Sequence, residues 1–263
     1  MITSTRNPRV QALRALQSRA KRRRESGSFV IEGVRLAEEA LAADWAVVSG
    51  FYTEGISDRG SAIVAAFTAR GAALELVAPQ VMTAASDTQS PQGILLELGF
   101  QQLPTPKQIT LALIADQLRD PGNLGTLMRS ASAAGAEILI LTPGSADAWA
   151  PKVLRSGMGA HFRLPLLEMD WTQIRGFCDQ HQLRVLLADT NTGQPVDKAD
   201  LSVPLALILG GEADGAGPEA RALAEHTVHI PMRGPTESLN AAVAGSLILF
   251  EAARQRRSKD ELA

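Results

Sequence analysis

The sequence predicts an α/β protein in two parts, the C-terminal one built on an open parallel sheet covered by helices. Three observations predict it. Runs such as Ile109 to Ala115 are apolar throughout, as strands are when a parallel sheet is buried on both faces. Such runs alternate with segments whose apolar residues recur at helical spacing. Between the two parts, Gln101 to Gln108 (QQLPTPKQ) has no periodicity and reads as a linker. The chain has 263 residues, 45% of them hydrophobic, enough for one or two buried cores. That composition excludes a disordered tail, and 22 glycines with 14 prolines exclude a collagen-like or low-complexity chain.

In order, Val10, Leu13, Leu16 and Gln17 form one edge of an N-terminal helix. Ser28 to Glu32 alternates like a strand, and Val34, Ala37, Leu41 and Ala42 mark a helix within Gly33 to Ala43. Trp45 to Thr53 reads as a strand, Ala62 to Arg70 as a helix, and Leu74 to Val77 and Gly93 to Leu98 as further strands. After the linker, the strand Ile109 to Ala115 leads to a helix marked by Leu124, Leu127, Met128, Ala131 and Ala134, which Gly135 closes. Ile138 to Leu141, Leu183 to Ala188, Leu205 to Leu209 and Val228 to Ile230 are the later strands. Trp171 to His181 and Leu239 to Arg254 are the later helices. The expected divisions are a basic arm at 1–24, a small α/β domain at 25–100, a linker at 101–108 and a second α/β domain at 109–263.

The net charge of −2 hides an asymmetry. The first 24 residues hold eight basic side chains and no acid, leaving 18 basic against 28 acidic residues elsewhere. Such an arm either grips a polyanion through phosphate contacts or is a solvated helix face. The RNA-binding candidates within it are Arg6, Arg9, Arg19, Lys21, Arg22, Arg23 and Arg24.

Several function classes fall away. A lone Cys178 makes neither an internal disulfide nor a multi-thiolate metal site. His161, His181, His226 and His229 lack metal-ligand spacing, so no metal is expected, and no G-x-x-x-x-G-K-[ST] phosphate loop occurs. The longest apolar stretch, Leu239 to Phe250, is too short for a bilayer, and no signal-peptide core follows the first charges. A soluble cytoplasmic protein is expected.

Three loops follow predicted strands, where ligands of open α/β sheets sit. In Asp116 to Asn123 (DQLRDPGN), Asn123 is a candidate helix cap. Arg129, six residues on, lies off the apolar stripe. In Gly210 to Pro218 (GGEADGAGP), the glycines permit close approach of a ligand or simply a tight turn, and Pro218 suits the first turn of a helix. Its Gly215 to Ala220 register fits a dinucleotide pattern only weakly, because five residues separate it from the strand. In Ile230 to Asn240 (IPMRGPTESLN), Ser238 is a candidate cap of the last helix, and Ile230 and Met232 either flank a flat ring or pack in the core. No loop pairs a nucleophile with a base, so the residues alone reach a ligand-binding α/β domain with a basic arm.

Taken together, DPGNLGTLMRSASAAGA, LILGGEADGAGPE and IPMRGPTESLNAAVAGSLILFE resemble the three motifs of the SpoU/TrmH family of RNA 2′-O-ribose methyltransferases, in the SPOUT superfamily. PKVLRSGMGAHFRLP, from Pro151 to Pro165, is similar to the family's segment after the first motif, and the opening NPRVQALRAL…RRRESGSFVIEGVRLAEEAL resembles its N-terminal L30e/L7Ae-like substrate-binding domain. The resemblance implies a trefoil knot in the C-terminal domain, an exception among protein topologies. It implies S-adenosylmethionine bound bent in the knotted loops by Gly210, Ile230 and Leu239, with Gly211, Met232 and Ala244 nearby. It implies a homodimer, for which the Ala/Gly-rich stretch Asn240 to Ala253 suits close packing. The family's active-site positions fall on Asn123, Arg129, Glu212, Ser238 and Asn240. In that reading Arg129 attends the attacking ribose, Asn123, Ser238 and Asn240 orient it and the nearby backbone, and Glu212 anchors the loop or the arginine rather than serving as a free base. Gly211 and Ala216 depart from the pattern, where many relatives carry Asn and a larger apolar residue. The separate N-terminal domain favours ribosomal RNA over tRNA as substrate, by analogy. The competing readings are a catalytically silent RNA-binding or ribosome-assembly factor and, on the glycine pattern alone, a nucleotide-dependent oxidoreductase.

Overall fold

The computed structural model describes residues 1–212 and 215–260, the side chains of 259 and 260 excepted. Ala213 and Asp214 of the second loop, and the last three residues of the expected 109–263 domain, lie outside the described residues. The first elements are α1 (Pro8–Ser18), α2 (Ala20–Ser26), β1 (Ser28–Glu32), α3 (Val34–Ala42), β2 (Val47–Tyr52), α4 (Asp58–Ala69), β3 (Ala73–Leu76), α5 (Pro79–Ala85) and β4 (Ile94–Gly99). Then come β5 (Leu111–Asp116), α6 (Pro121–Ala134), β6 (Ile138–Leu141), α7 (Pro151–Gly157), β7 (Leu166–Glu168), α8 (Trp171–His181) and β8 (Arg184–Ala188). The last are β9 (Gln194–Pro195), β10 (Leu205–Gly210), α9 (Pro218–Leu223), β11 (His226–His229) and α10 (Ala241–Asp260).

The chain forms two compact units, Met1–Gln101 with Asp147–Phe162, and Gln102–Ala146 with Arg163–Ala263. Two points differ from the sequence reading. The basic arm is not a separate piece but part of the first unit. Asn7 caps α1, and Val10, Leu13 and Leu16 bury their side chains in a core with Phe51, Val81 and Leu95. Secondly, Asp147 to Phe162, read as part of a continuous domain from 109, folds into the first unit. Its reason is aromatic: Trp149 packs on Phe29 and Phe100, with ring centroids 4.6 and 5.1 Å away, and Phe162 meets Trp45 at 5.1 Å. His161, beside Trp149, is fully buried and gives its Nε2 to the Ala148 carbonyl at 2.8 Å. Burial pushes its imidazole down to about 4, so the ring is neutral in the folded protein. The sheet of this unit is four-stranded and mixed, in the order β1-β4-β2-β3.

The second unit carries a seven-stranded sheet in the order β7-β6-β5-β10-β8-β11-β9, parallel at every pairing. Every residue of β5 is buried, because a parallel strand on each side and helices on both faces leave it no solvent. β10 inserts between β5 and β8, with Gly210 paired to Asp116 and Leu209 to Ala188. The carboxyl ends of these strands therefore open on one edge, beside a reversal of strand order, where such sheets hold ligands. α6 starts at Pro121 under an Asp120 cap and ends at Gly135 in the left-handed conformation. α10 packs on α6, and Ser246 donates to Ser130 at 2.7 Å.

Candidate active site

Both cap expectations are corrected, which releases Asn123 and Ser238 from capping and gives the cap of α10 to Asn240. Asp120, not Asn123, caps α6: its carboxylate accepts the Asn123 N–H at 2.8 Å. Asn240, not Ser238, caps α10, its Oδ1 accepting from the N–H groups of Ala242 and Val243 at 3.0 and 3.2 Å. Asn240 Nδ2 then donates to Asn123 Oδ1 at 2.9 Å, and Asn123 Nδ2 donates to Glu212 Oε1 at 2.7 Å. The polarity of this chain is set at both ends. Helix N–H groups can only donate and a carboxylate can only accept, so each amide between them has one orientation.

Glu212 also borders a cavity of ≈ 440 Å³ over the ends of β8, β10 and β11. Gly210, Gly211, Ile230, Met232, Leu239 and Ala244 all line it, as does Ser238. The glycines are required by backbone approach. A Cβ on Gly210 would stand 2.3 Å from the Ala216 nitrogen, and one on Gly211 2.6 Å from the Gln117 carbonyl oxygen. Leu209 and Ile248 add apolar wall. The cavity is in the size range of small-molecule sites.

Arg129 stands apart. It is exposed on α6, does not line the cavity, and has no ion pair or hydrogen-bond partner among the described residues. The lone thiol has no part here: burial, with Asp179 and Glu225, pushes Cys178 up to about 11. Of the basic arm, Arg6, Arg9, Arg19, Lys21, Arg22 and Arg24 are exposed. Arg9 pairs with Glu75, and Lys21 and Arg22 with Glu25. Arg23 is corrected as an RNA contact. It is buried, its Nε donates to Asp147 at 3.0 Å, and its Nη1 donates to the carbonyls of Leu16 and Gln17.

Three residues escaped the sequence reading. Asp116, at the end of β5, is buried and accepts from the Gly217 N–H at 2.8 Å and from Thr142 Oγ1 at 3.0 Å, tying the glycine loop to the sheet. Asp189 and Arg221 both line the cavity. The usable signal was a charged residue ending an otherwise apolar strand, as Asp116 does after LALIA and Asp189 does just beyond VLLA.

A family model described as the SpoU rRNA methylase family matches residues 110–250. The chain belongs to that family. A second model, the MRM3-like substrate binding domain, matches residues 7–96. A protein of Synechocystis named as an uncharacterized tRNA/rRNA methyltransferase is 33% identical over 97% of this chain and 94% of its own. The Bacillus subtilis 23S rRNA (guanosine(2553)-2′-O)-methyltransferase RlmP is 31% identical over 95% of this chain and 97% of its own. The crystal structure of the SpoU methyltransferase AviRb from Streptomyces viridochromogenes, in complex with the cofactor AdoMet, superposes with a TM-score of 0.87. It is 28% identical and covers 96% of this chain and 99% of AviRb.

Proposed function

We propose that the chain transfers a methyl group from S-adenosylmethionine to a ribose 2′-hydroxyl of ribosomal RNA, in the cytoplasm. The observation that carries this reading is the meeting, at Glu212, of the Asn240–Asn123–Glu212 chain with the glycine-floored cavity. The cavity suits the cofactor chemically. Ile230, Leu239 and Ile248 give apolar wall for a flat base, and Gly210 and Gly211 leave backbone close to the ligand. When bound, S-adenosylmethionine supplies an electrophilic methyl group on a sulfonium. The protein's tasks are to align the ribose oxygen with that carbon and to let one proton leave.

Glu212, already accepting from Asn123, anchors the second loop rather than acting as a free base. Asn123, Ser238 and Asn240 orient the ribose and the backbone around it. Arg129, on the helix that carries Asn123 and without an ion pair among the described residues, steadies the developing alkoxide, while the proton passes to an RNA phosphate or water. A guanidinium is a poor base, since it keeps its proton at any working pH. Arg6, Arg19 and Arg24, exposed and without ion pairs among the described residues, meet the RNA backbone together with Arg9, Lys21 and Arg22.

The reading includes the family's trefoil knot and a homodimer. Val243, Leu247 and Phe250 recur on α10 at helical spacing and are each about half exposed, at 46%, 49% and 47%. A second copy of the same helix would cover that stripe. Incubation with methyl-tritiated S-adenosylmethionine and unmodified rRNA or tRNA tests the function. Label recovered from rRNA as a 2′-O-methyl nucleoside supports it; label on a base, or in tRNA alone, refutes it.

A further inference from the structure

One part of the cavity wall has no task in the transfer just described. Asp189 directly follows β8, and Arg221 lies on α9. Both line the cavity, and Arg221 Nη1 donates to Asp189 Oδ2 at 3.1 Å. Asp189 is fixed by its own N–H to the Val228 carbonyl at 2.9 Å, and its Oδ1 accepts from the Asn191 N–H at 3.3 Å. Its side chain is only 13% exposed, against 52% for Arg221. Burial alone would raise the Asp189 carboxyl, but the Asn191 amide, Arg221 and Thr192 outweigh it and hold the group below the usual carboxylate range. A charged pair of fixed geometry thus shares the cavity with apolar walls at Leu209, Ile230 and Leu239, the other charged lining being the carboxylates of Glu212 and Glu237.

Neither member is used up by the other. A carboxylate has about four acceptor sites and a guanidinium five N–H donors, so both keep capacity for a ligand. The reaction end of the cavity is marked by Glu212 and its amide chain after β10; Asp189 belongs to the end of the neighbouring strand β8. An adjacent negative and positive group complements a ligand end that carries one ammonium and one carboxylate. We propose that Asp189 and Arg221 bind the amino-acid end of S-adenosylmethionine, Asp189 accepting from its ammonium and Arg221 donating to its carboxylate. This rests on the function proposed above and assigns that site its polar specificity.

Two probes separate the ends of the ligand. S-adenosylhomocysteine and 5′-methylthioadenosine share the nucleoside and its thioether, and only the first carries the amino-acid end. By calorimetric titration of the full chain, Asp189→Asn and Arg221→Met should each weaken S-adenosylhomocysteine about ten- to a hundredfold, the loss of a charge-assisted contact. They should leave 5′-methylthioadenosine within about twofold, which also shows the variants folded, and Arg221→Lys should recover part of the loss. Equal losses for both probes would overturn the assignment in favour of the nucleoside or the fold, and unchanged S-adenosylhomocysteine affinity would overturn it outright. Wild-type protein that binds neither probe nor S-adenosylmethionine would instead sink the proposed function itself.

Discussion

Asn123→Asp tests the amide chain with a change of almost no volume. It replaces the Nδ2–H that Glu212 Oε1 receives at 2.7 Å with a carboxylate oxygen, while the bond from Asn240 Nδ2 can persist. Losing a hydrogen bond to a charged group costs about 1.5–3 kcal/mol. Two unit charges at that separation repel by about 1.5 kcal/mol even at the dielectric constant of water. The sum, about 3–4.5 kcal/mol, is enough to turn the Glu212 carboxylate away from its place. If that place matters in the transition state, kcat for methyl transfer falls by about a hundredfold or more, since 1.4 kcal/mol is a factor of ten. Cofactor affinity, held mainly by other residues, should change by less than about fivefold on the same arithmetic. Tritium transfer to rRNA, run beside calorimetry, measures both. Turnover within about threefold of wild type would refute the reasoning, since under 0.7 kcal/mol would then rest on this link.

Gly211→Ala should weaken cofactor binding by about five- to a hundredfold, because its Cβ meets the Gln117 oxygen at 2.6 Å and overpacking of this kind costs about 1–3 kcal/mol; titration calorimetry reads it. Arg23→Met should lower stability by about 2–4 kcal/mol, leaving Asp147 and two carbonyls without their donor, as a denaturant titration would show. His161 is held neutral when folded, so the unfolded chain takes up a proton first as the pH falls from 6.5 towards about 4. Stability should therefore drop across that window by up to about 3 kcal/mol, and His161→Gln should flatten the drop in thermal melts recorded against pH. Leu247→Glu with Phe250→Glu should yield a monomer by sedimentation, as the stripe they interrupt is apolar.

The second unit was the more legible in sequence. Strands such as LALIAD and LALILG are buried on both faces, so their composition alone declares them. β7 and β9, three and two residues long, are too short to carry a period, and the seven residues of α5 and of α7 span fewer than two helical turns. The caps misled because Asp120 and Asn123 are both good capping residues; Pro121 decides for Asp120 by starting the helix there. The assignment of Gly210, Ile230 and Leu239 to a cofactor came from resemblance, since a glycine in a loop does not reveal which backbone approaches it. The link from Asn123 to Glu212 spans 89 residues and that from Asn240 to Asn123 spans 117, separations no local spacing rule can see. Arg23 looks like its neighbours in a run of cations; only its partner, 124 residues away, tells it apart.

The passage of Asp147 to Phe162 through the first unit sets an order of events at the ribosome. When Gln101 has emerged, Phe29 and Trp45 still lack Trp149 and Phe162, and the Arg23 guanidinium still lacks Asp147. The chain must extend through β5, α6 and β6, elements of the second unit, before the first can finish its core. Neither unit is thus a severable cassette. A fragment ending at Gln101 would expose an aromatic face to aggregation, and one beginning at Gln102 would trail sixteen residues that belong elsewhere. Substrate binding and catalysis, if divided between the units, would have been bound to a single folding event by the path of the chain.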